Sequence, residues 1–257
     1  MSRYYFIGSS LAPLSLDSEP EISSSEFISM LDMNLTEWDK EKLRVLRLEN
    51  DLMNLKALLL GEPLSPHGNF DEGELEDILL AKEELPDFVI EFLNEYDSKE
   101  DRIKYFSKLM SDFYRVFSSR YLGFLHKYFS FERKLRLSLV ALRSKYAKLS
   151  LEKQLQFEEP TDPFVAFLLA QKDSENLELD SEFTGLKEIF NENIENPLRL
   201  QKAILEYRMH FIEEVAVEHP FSIDEILGYY IRLLIVENWQ KLNAEEGKNQ
   251  LDQLVRE

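Results

Sequence analysis

The sequence has no cysteine. Disulfides, thiolate metal sites and thiol nucleophiles are excluded, and the chain suits a reducing compartment. Glycine is scarce, at 8 of 257 residues, which disfavours folds built on glycine-rich phosphate loops or many tight hairpins. No apolar run approaches the roughly 18–20 residues that span a bilayer; the longest is FVAFLLA, Phe164 to Ala170. No GxGxxG occurs. GNFDEGE, Gly68 to Glu74, has the glycine spacing of a phosphate loop, but Glu74 stands where the lysine is needed and would repel phosphate. The Glu-x-x-His spacing of di-iron helical sites is missing, and so is the Gly-x-Ser-x-Gly elbow of serine hydrolases. No catalytic residue, metal or cofactor is expected from these patterns.

Apolar residues make up 44% and charged residues 31%, a composition that folds rather than stays disordered. The net charge of −19 is unevenly placed: Lys99–Lys153 holds 14 Lys and Arg against 5 Asp and Glu, and the remainder holds 16 against 44. A basic middle between acidic ends has two readings. The middle packs against its own flanks, or it orients a partner.

Helix signals dominate. Ser23 and Glu26 have capping-box spacing ahead of FISMLDMNL, and Thr36 and Asp39 repeat the signal ahead of a run from Glu37 to Leu60 stopped at Gly61. That run would make about 36 Å of helix. Its core, RLENDLMNLKALLLG, carries leucines on several sides, which suits a helix buried between two layers. Gly61–Gly73 reads as a loop, and a helix is expected from Glu74 to Glu84. From Lys99 to Phe157 there is no proline and one glycine, so one bent helix or two helices broken near Ser118–Gly123 are expected. EEPTDP, Glu158 to Pro163, is the clearest internal break. It divides the chain into N-terminal and middle lobes, 1–157, and a C-terminal lobe, 158–257. Later helices are expected from Pro197 to about Glu218 and, behind a Ser222/Glu225 box, from Ile223 to about Leu242. YYFIGSSL near the start reads as a short extended segment rather than a signal peptide. The fold class is mostly α, a multi-helix bundle.

Tyr105–Tyr146 mixes cations with aromatics, as nucleic-acid binders do. Yet Phe106, Phe113, Phe117, Phe124 and Phe131 recur near helical periods, which marks a buried face, and the acidic remainder would repel nucleic acid. No nucleic-acid partner is expected. His126 in the same stretch reads as a core or interface histidine. Glu206 and His210, with Glu213 and Glu214 one turn on, read more readily as a solvated helix face than as metal ligands.

Three helices share a phrase: Glu49 in RLENDLMNLKALL, Glu132 in SFERKLRLSLVALR and Glu237 in LIVENWQKLN, each after an apolar residue. A glutamate in such a frame pairs with a base, caps a neighbouring helix or marks a bundle position.

The opening YYFIGSSLAPLSLDSEPEISSSEFISML and the closing YYIRLLIVENWQKLNAEEGKNQLDQLV, with its Glu237–Asn238 pair, resemble a family of bacterial proteins encoded in V-type ATPase gene clusters. That family is similar to the C-type (in eukaryotes d-type) adaptor of V-type ATPases, and the threefold glutamate phrase resembles its three related helical units. The resemblance implies an elongated or wedge-shaped adaptor without chemistry of its own. It would seat the central-stalk subunits and rest on the proteolipid ring, cytoplasmic and peripheral to the inner membrane, with no membrane span. The basic middle, with Arg133, Lys134 and Arg136, is then the expected ring-facing surface. This chain is shorter than a typical C-type adaptor and its glutamate phrases are degenerate. The alternative is a stand-alone helical interaction, regulatory or assembly factor.

Overall fold

A computed structural model describes residues 4–81, 85–174 and 176–256, with side chains up to residue 242. Its helices in chain order are α1 (Tyr5–Gly8), α2 (Ser24–Asn34), α3 (Glu37–Leu60), α4 (Glu72–Ala81), α5 (Asp87–Glu95), α6 (Lys99–Lys104) and α7 (Phe106–Arg120). They continue as α8 (Gly123–Tyr146), α9 (Leu151–Gln154), α10 (Pro163–Leu169), α11 (Thr184–Asn193), α12 (Pro197–Ala216) and α13 (Ile223–Arg256), with a 3-10 turn at Ser181–Phe183. Among the described residues there is no strand. The expectation of a mostly α, multi-helix fold is borne out.

The capping signals work as their chemistry predicts. The Ser23 hydroxyl and the Glu26 side chain satisfy each other's backbone N–H at the start of α2. Gly61 ends α3 with φ 74°, a left-handed conformation that costs glycine little. Gly123, at φ 64°, allows the sharp turn between α7 and α8, so the long basic stretch is two main helices. The expected end of α4, Lys82–Glu84, lies outside the described residues. Where α13 was expected to stop near Leu242, the helix runs on to Arg256, since no proline interrupts it.

The opening segment differs from expectation. Tyr5–Gly8 forms one helical turn, not an extended strand. Tertiary bonds outweigh its β-rich composition. The Tyr4 phenol donates to Asp39 Oδ2 at 2.5 Å, and the Tyr4 N–H donates to the Phe221 carbonyl at 3.1 Å.

The chain forms two compact units, one of residues 1–40 and 185–257, the other of residues 41–184. This division does not fall after Phe157. Residues 158–184 pack with the second unit, where α10 lies on α8. In that unit α7 and α8 form the main helix pair, flanked by α5, α6, α9 and α10. Phe106, Phe113, Phe117, Phe124 and Phe131 are all buried, as their spacing predicts. Phe113, Phe117 and Phe129 form an aromatic cluster with ring centroids 4.9–5.7 Å apart.

In the first unit α12 packs along α13, and α2 packs on α13 through Phe27 and Tyr229, 5.1 Å between ring centroids. The α12–α13 approach depends on Gly228, where an added Cβ would overlap Ala216 Cβ and lie 3.6 Å from Ile212 Cγ2. Gly228→Ala should therefore lower the unfolding free energy by about 1–3 kcal/mol through overpacking. Urea unfolding checks this; stability equal to or above the parent would show that the helices can separate freely.

Candidate functional site

Arg133 and Arg136, singled out above as a basic surface, lie in one buried network of the second unit. Its centre is Glu158, whose side chain is 4% exposed. One carboxylate oxygen accepts from the Ser111 hydroxyl at 2.6 Å and from the Arg136 guanidinium; the other accepts from Arg133 at 3.3 Å. Arg133 also donates to Asp162 Oδ2 at 2.9 Å. The second oxygen of Asp162 caps α10, accepting from the N–H groups of Phe164 and Val165 at 3.0 and 3.1 Å. Burial pushes the Asp162 carboxyl up, but the backbone N–H bonds and Arg133 outweigh it and hold the group below the usual carboxylate range.

Tyr114 joins this network to α3. Its phenol donates to Glu49 Oε1 at 2.6 Å, and the Arg136 guanidinium lies 5.6 Å from its ring centroid. Burial, with the nearby charges of Glu49 and Glu132, drives the Tyr114 phenol well above its ordinary value. It therefore serves as a fixed hydrogen-bond donor rather than an acid. Glu132 is buried on α8. Lys134 points away from this centre and pairs with Glu182 at 2.9 Å near the surface.

Three of the four elements meeting here were legible as helices. Glu158 and Asp162 were missed, because EEPTDP reads as a linker. The signal available was an acid at an N-cap position directly before Pro163.

A second polar arrangement on α3 was also missed. Arg47, Asp51 and Asn54 are spaced i, i+4, i+7, one stripe of a helix, and they hold the loop after Gly61. Arg47 donates to the His67 and Gly68 carbonyls, and Asn54 exchanges two 2.8 Å bonds with Ser65. Buried Asp51 accepts from Asn69 N–H, Asn69 Nδ2 and Phe70 N–H. Burial pushes its carboxyl up against these bonds. The Gly68–Glu74 phrase is thus folded around an internal carboxylate where a phosphate loop would hold phosphate. Glu74 completes a capping box with Asp71, two 2.9 Å bonds that open α4. The loop supplies the second layer over α3, although Met53 and Leu60 remain exposed.

Glu237, in the first unit, does something different. Its carboxylate accepts from Ser24 N–H and Ser24 Oγ, both at 2.6 Å, and so anchors the N-terminus of α2 to α13. Asn238 beside it is exposed. Two of the three glutamates of the repeated phrase, Glu49 and Glu132, therefore lie near Tyr114 in the second unit, while Glu237 holds a helix start in the first.

The remaining histidine candidates lie on surfaces. His126 is exposed, with Nδ1 2.7 Å from the Ser118 carbonyl across the α7–α8 turn, not in the core. Glu206 and His210 are exposed on α12, and Glu213 pairs with Arg232 at 2.7 Å. Among the described residues no group of three or more His, Asp or Glu is placed to hold a metal ion, and no helix is long and apolar enough to cross a membrane.

The first unit also exposes large apolar side chains. Phe6 is 74%, Met33 80% and Trp38 77% exposed. Tyr4, bonded to Thr36 N–H and to Asp39, holds the turn bearing Phe6 against the α2–α3 junction that bears Met33 and Trp38.

A protein of Chlamydia muridarum (strain MoPn / Nigg) is 30% identical over 254 residues, covering 96% of each chain. A protein of Chlamydia trachomatis serovar D is 28% identical over 254 residues, again 96% of each, and one of Chlamydia pneumoniae is 27% identical over 262 residues, 100% of this chain and 98% of its own. No solved structure matches the chain. Residues 1–257 match the profile of the family described as "Protein of unknown function (DUF2764)", and the chain belongs to that family.

Proposed function

We propose that this chain is a helical protein-interaction or assembly factor without chemistry of its own. The observation that carries the reading is the division of labour among its side chains. Charged groups of the kind that suggest acid–base chemistry, Glu158, Asp162, Arg133, Arg136 and Glu237 among them, are engaged in bonds that join segments of the chain. Meanwhile Phe6, Met33 and Trp38 stand in solvent at one junction. Exposed apolar groups gathered in this way serve contact with another protein.

The partner we assign is a V-type ATP synthase or ATPase, with the chain placed between the central stalk and the proteolipid ring. This rests on the resemblance of the opening and closing segments to the family of C-type adaptors. Both segments fall in the first unit, where Ser24–Glu237 and Phe27–Tyr229 join them directly. In this assignment Arg133 and Arg136 no longer serve as the ring-facing surface, because both are paired internally. The apolar junction takes that part.

Phe6→Ser with Trp38→Ser should leave the unfolding midpoint within error of the parent, since surface substitutions away from caps and buried pairs cost about 0.5 kcal/mol or less. Recovery of V-type ATPase subunits with the tagged chain should fall about tenfold or more, as for an aromatic hot spot. Undiminished recovery would remove the junction from the interface.

A further inference from the structure

We infer that the corner between α8 and α9 is a docking face for anionic lipid headgroups. Ala147 leaves α8, Lys148 adopts φ 54°, and the Leu149 N–H returns to the Ser144 carbonyl at 2.8 Å. This reversal sets residues 146–150 in a continuous exposed run, with Tyr146 62% and Leu149 54% exposed.

Three long cations lie within a few residues of these two along the chain. Arg143, Lys148 and Lys153 are exposed, and among the described residues none is paired with a carboxylate. They differ in this from Arg133, Lys134 and Arg136, which are paired inside the chain. Lys145 is also occupied, donating to the carbonyls of Gln171, Lys172 and Ser174. The acids at this corner do not cancel the cations. Glu152 is held by Lys172 at 2.6 Å, and Asp173 lies beside the same lysine.

An exposed tyrosine and leucine with Lys and Arg free of carboxylate partners on either side in the chain match the interfacial layer of an anionic membrane. There the ring and the aliphatic group sit among headgroups while the cations meet phosphates. An acidic peptide would satisfy the cations too. However, five consecutive exposed residues on a turn offer no walls to seat a chain, and a planar surface needs none. The inference does not depend on the ATPase assignment, because pure lipid vesicles contain no proteolipid ring.

The test is flotation of the full chain with vesicles of phosphatidylcholine alone and of phosphatidylcholine mixed with phosphatidylglycerol. The parent should float with the anionic vesicles only, and less at raised salt. Arg143→Gln, Lys148→Gln and Lys153→Gln together should weaken binding about 100-fold, at about fivefold per cation. Tyr146→Ser with Leu149→Ser should weaken it while leaving the salt dependence in place. Circular dichroism of each variant should match the parent, since all five positions are exposed. No flotation with anionic vesicles, or flotation unchanged by the triple substitution, would overturn the inference. So would binding to polyglutamate, lost in the triple variant, by a chain that ignores the vesicles; that result would assign the corner to an acidic peptide.

Discussion

Glu158→Ala should destabilise the second unit by about 3–5 kcal/mol, the cost of leaving buried cations without their partner. Arg133 and Arg136 have side chains 11% and 27% exposed, and both meet Glu158. Removing its carboxylate leaves Arg136 with Ser111 and the Tyr114 ring, and Arg133 with Asp162 alone. Glu158→Gln keeps an oxygen for the Ser111 hydroxyl but no charge, so a smaller loss is expected. The control is Glu182→Ala. Its pair with Lys134 is 41% and 35% exposed, and such a pair is worth about 0–1 kcal/mol. Urea unfolding followed by circular dichroism gives both values; equal midpoints for the Glu158 and Glu182 variants would refute the buried network. Acid should act on the same centre. Asp162 is held below its ordinary value, so its contribution is present above the unfolded carboxylate value and lost as pH falls through the lower folded one.

Glu237→Ala should cost about 3 kcal/mol, from two charge-assisted hydrogen bonds at about 1.5 kcal/mol or more each. Both go to Ser24, which is 4% exposed, so the carboxylate binds a buried residue. The loss also removes a negative charge from the N-terminus of α2. Asn238→Ala, one residue on and exposed, should change stability by about 0.5 kcal/mol or less. Trp38 and Trp239 both fall in the first unit, so tryptophan fluorescence follows this unfolding, while the Glu158 variants show in circular dichroism. If the Glu237 and Asn238 variants unfold at the same urea concentration, the carboxylate is not the anchor of α2.

The helices were legible in the sequence because their signals are local. Ser23 with Glu26, Gly61 after Leu60, Gly123 between two aromatic runs and Pro197 at a first turn all act within four residues of where they stand. The phenylalanine spacing on α7 and α8 marked the buried face for the same reason. What was not legible depends on distant partners. Arg133 and Arg136 read as a basic surface until Glu158 and Asp162, 22 to 29 residues on, are brought against them. The basic middle thus spends part of its charge within its own unit, which the sequence left as one of two readings. Asp51 and Asn54 looked like polar interruptions of a leucine helix. Their use is set by a loop 11 to 19 residues downstream. YYFIGSSL had the composition of a strand, and the bonds from Tyr4 to Asp39 and Phe221 decided otherwise. The glutamate phrase was legible as a pattern, but Glu49 and Glu237 differ in what they bind.

The most direct test of the proposed function is the composition of the V-type ATPase purified intact, without crosslinking, from cells that make this chain. The chain should travel with the central-stalk and proteolipid subunits. It should stand near one copy per complex if it is a permanent component, or be confined to partly assembled complexes if it is an assembly factor. Mass spectrometry of each fraction measures both. A chain absent from every fraction that holds V-type ATPase subunits, and migrating by itself, would overturn the assignment.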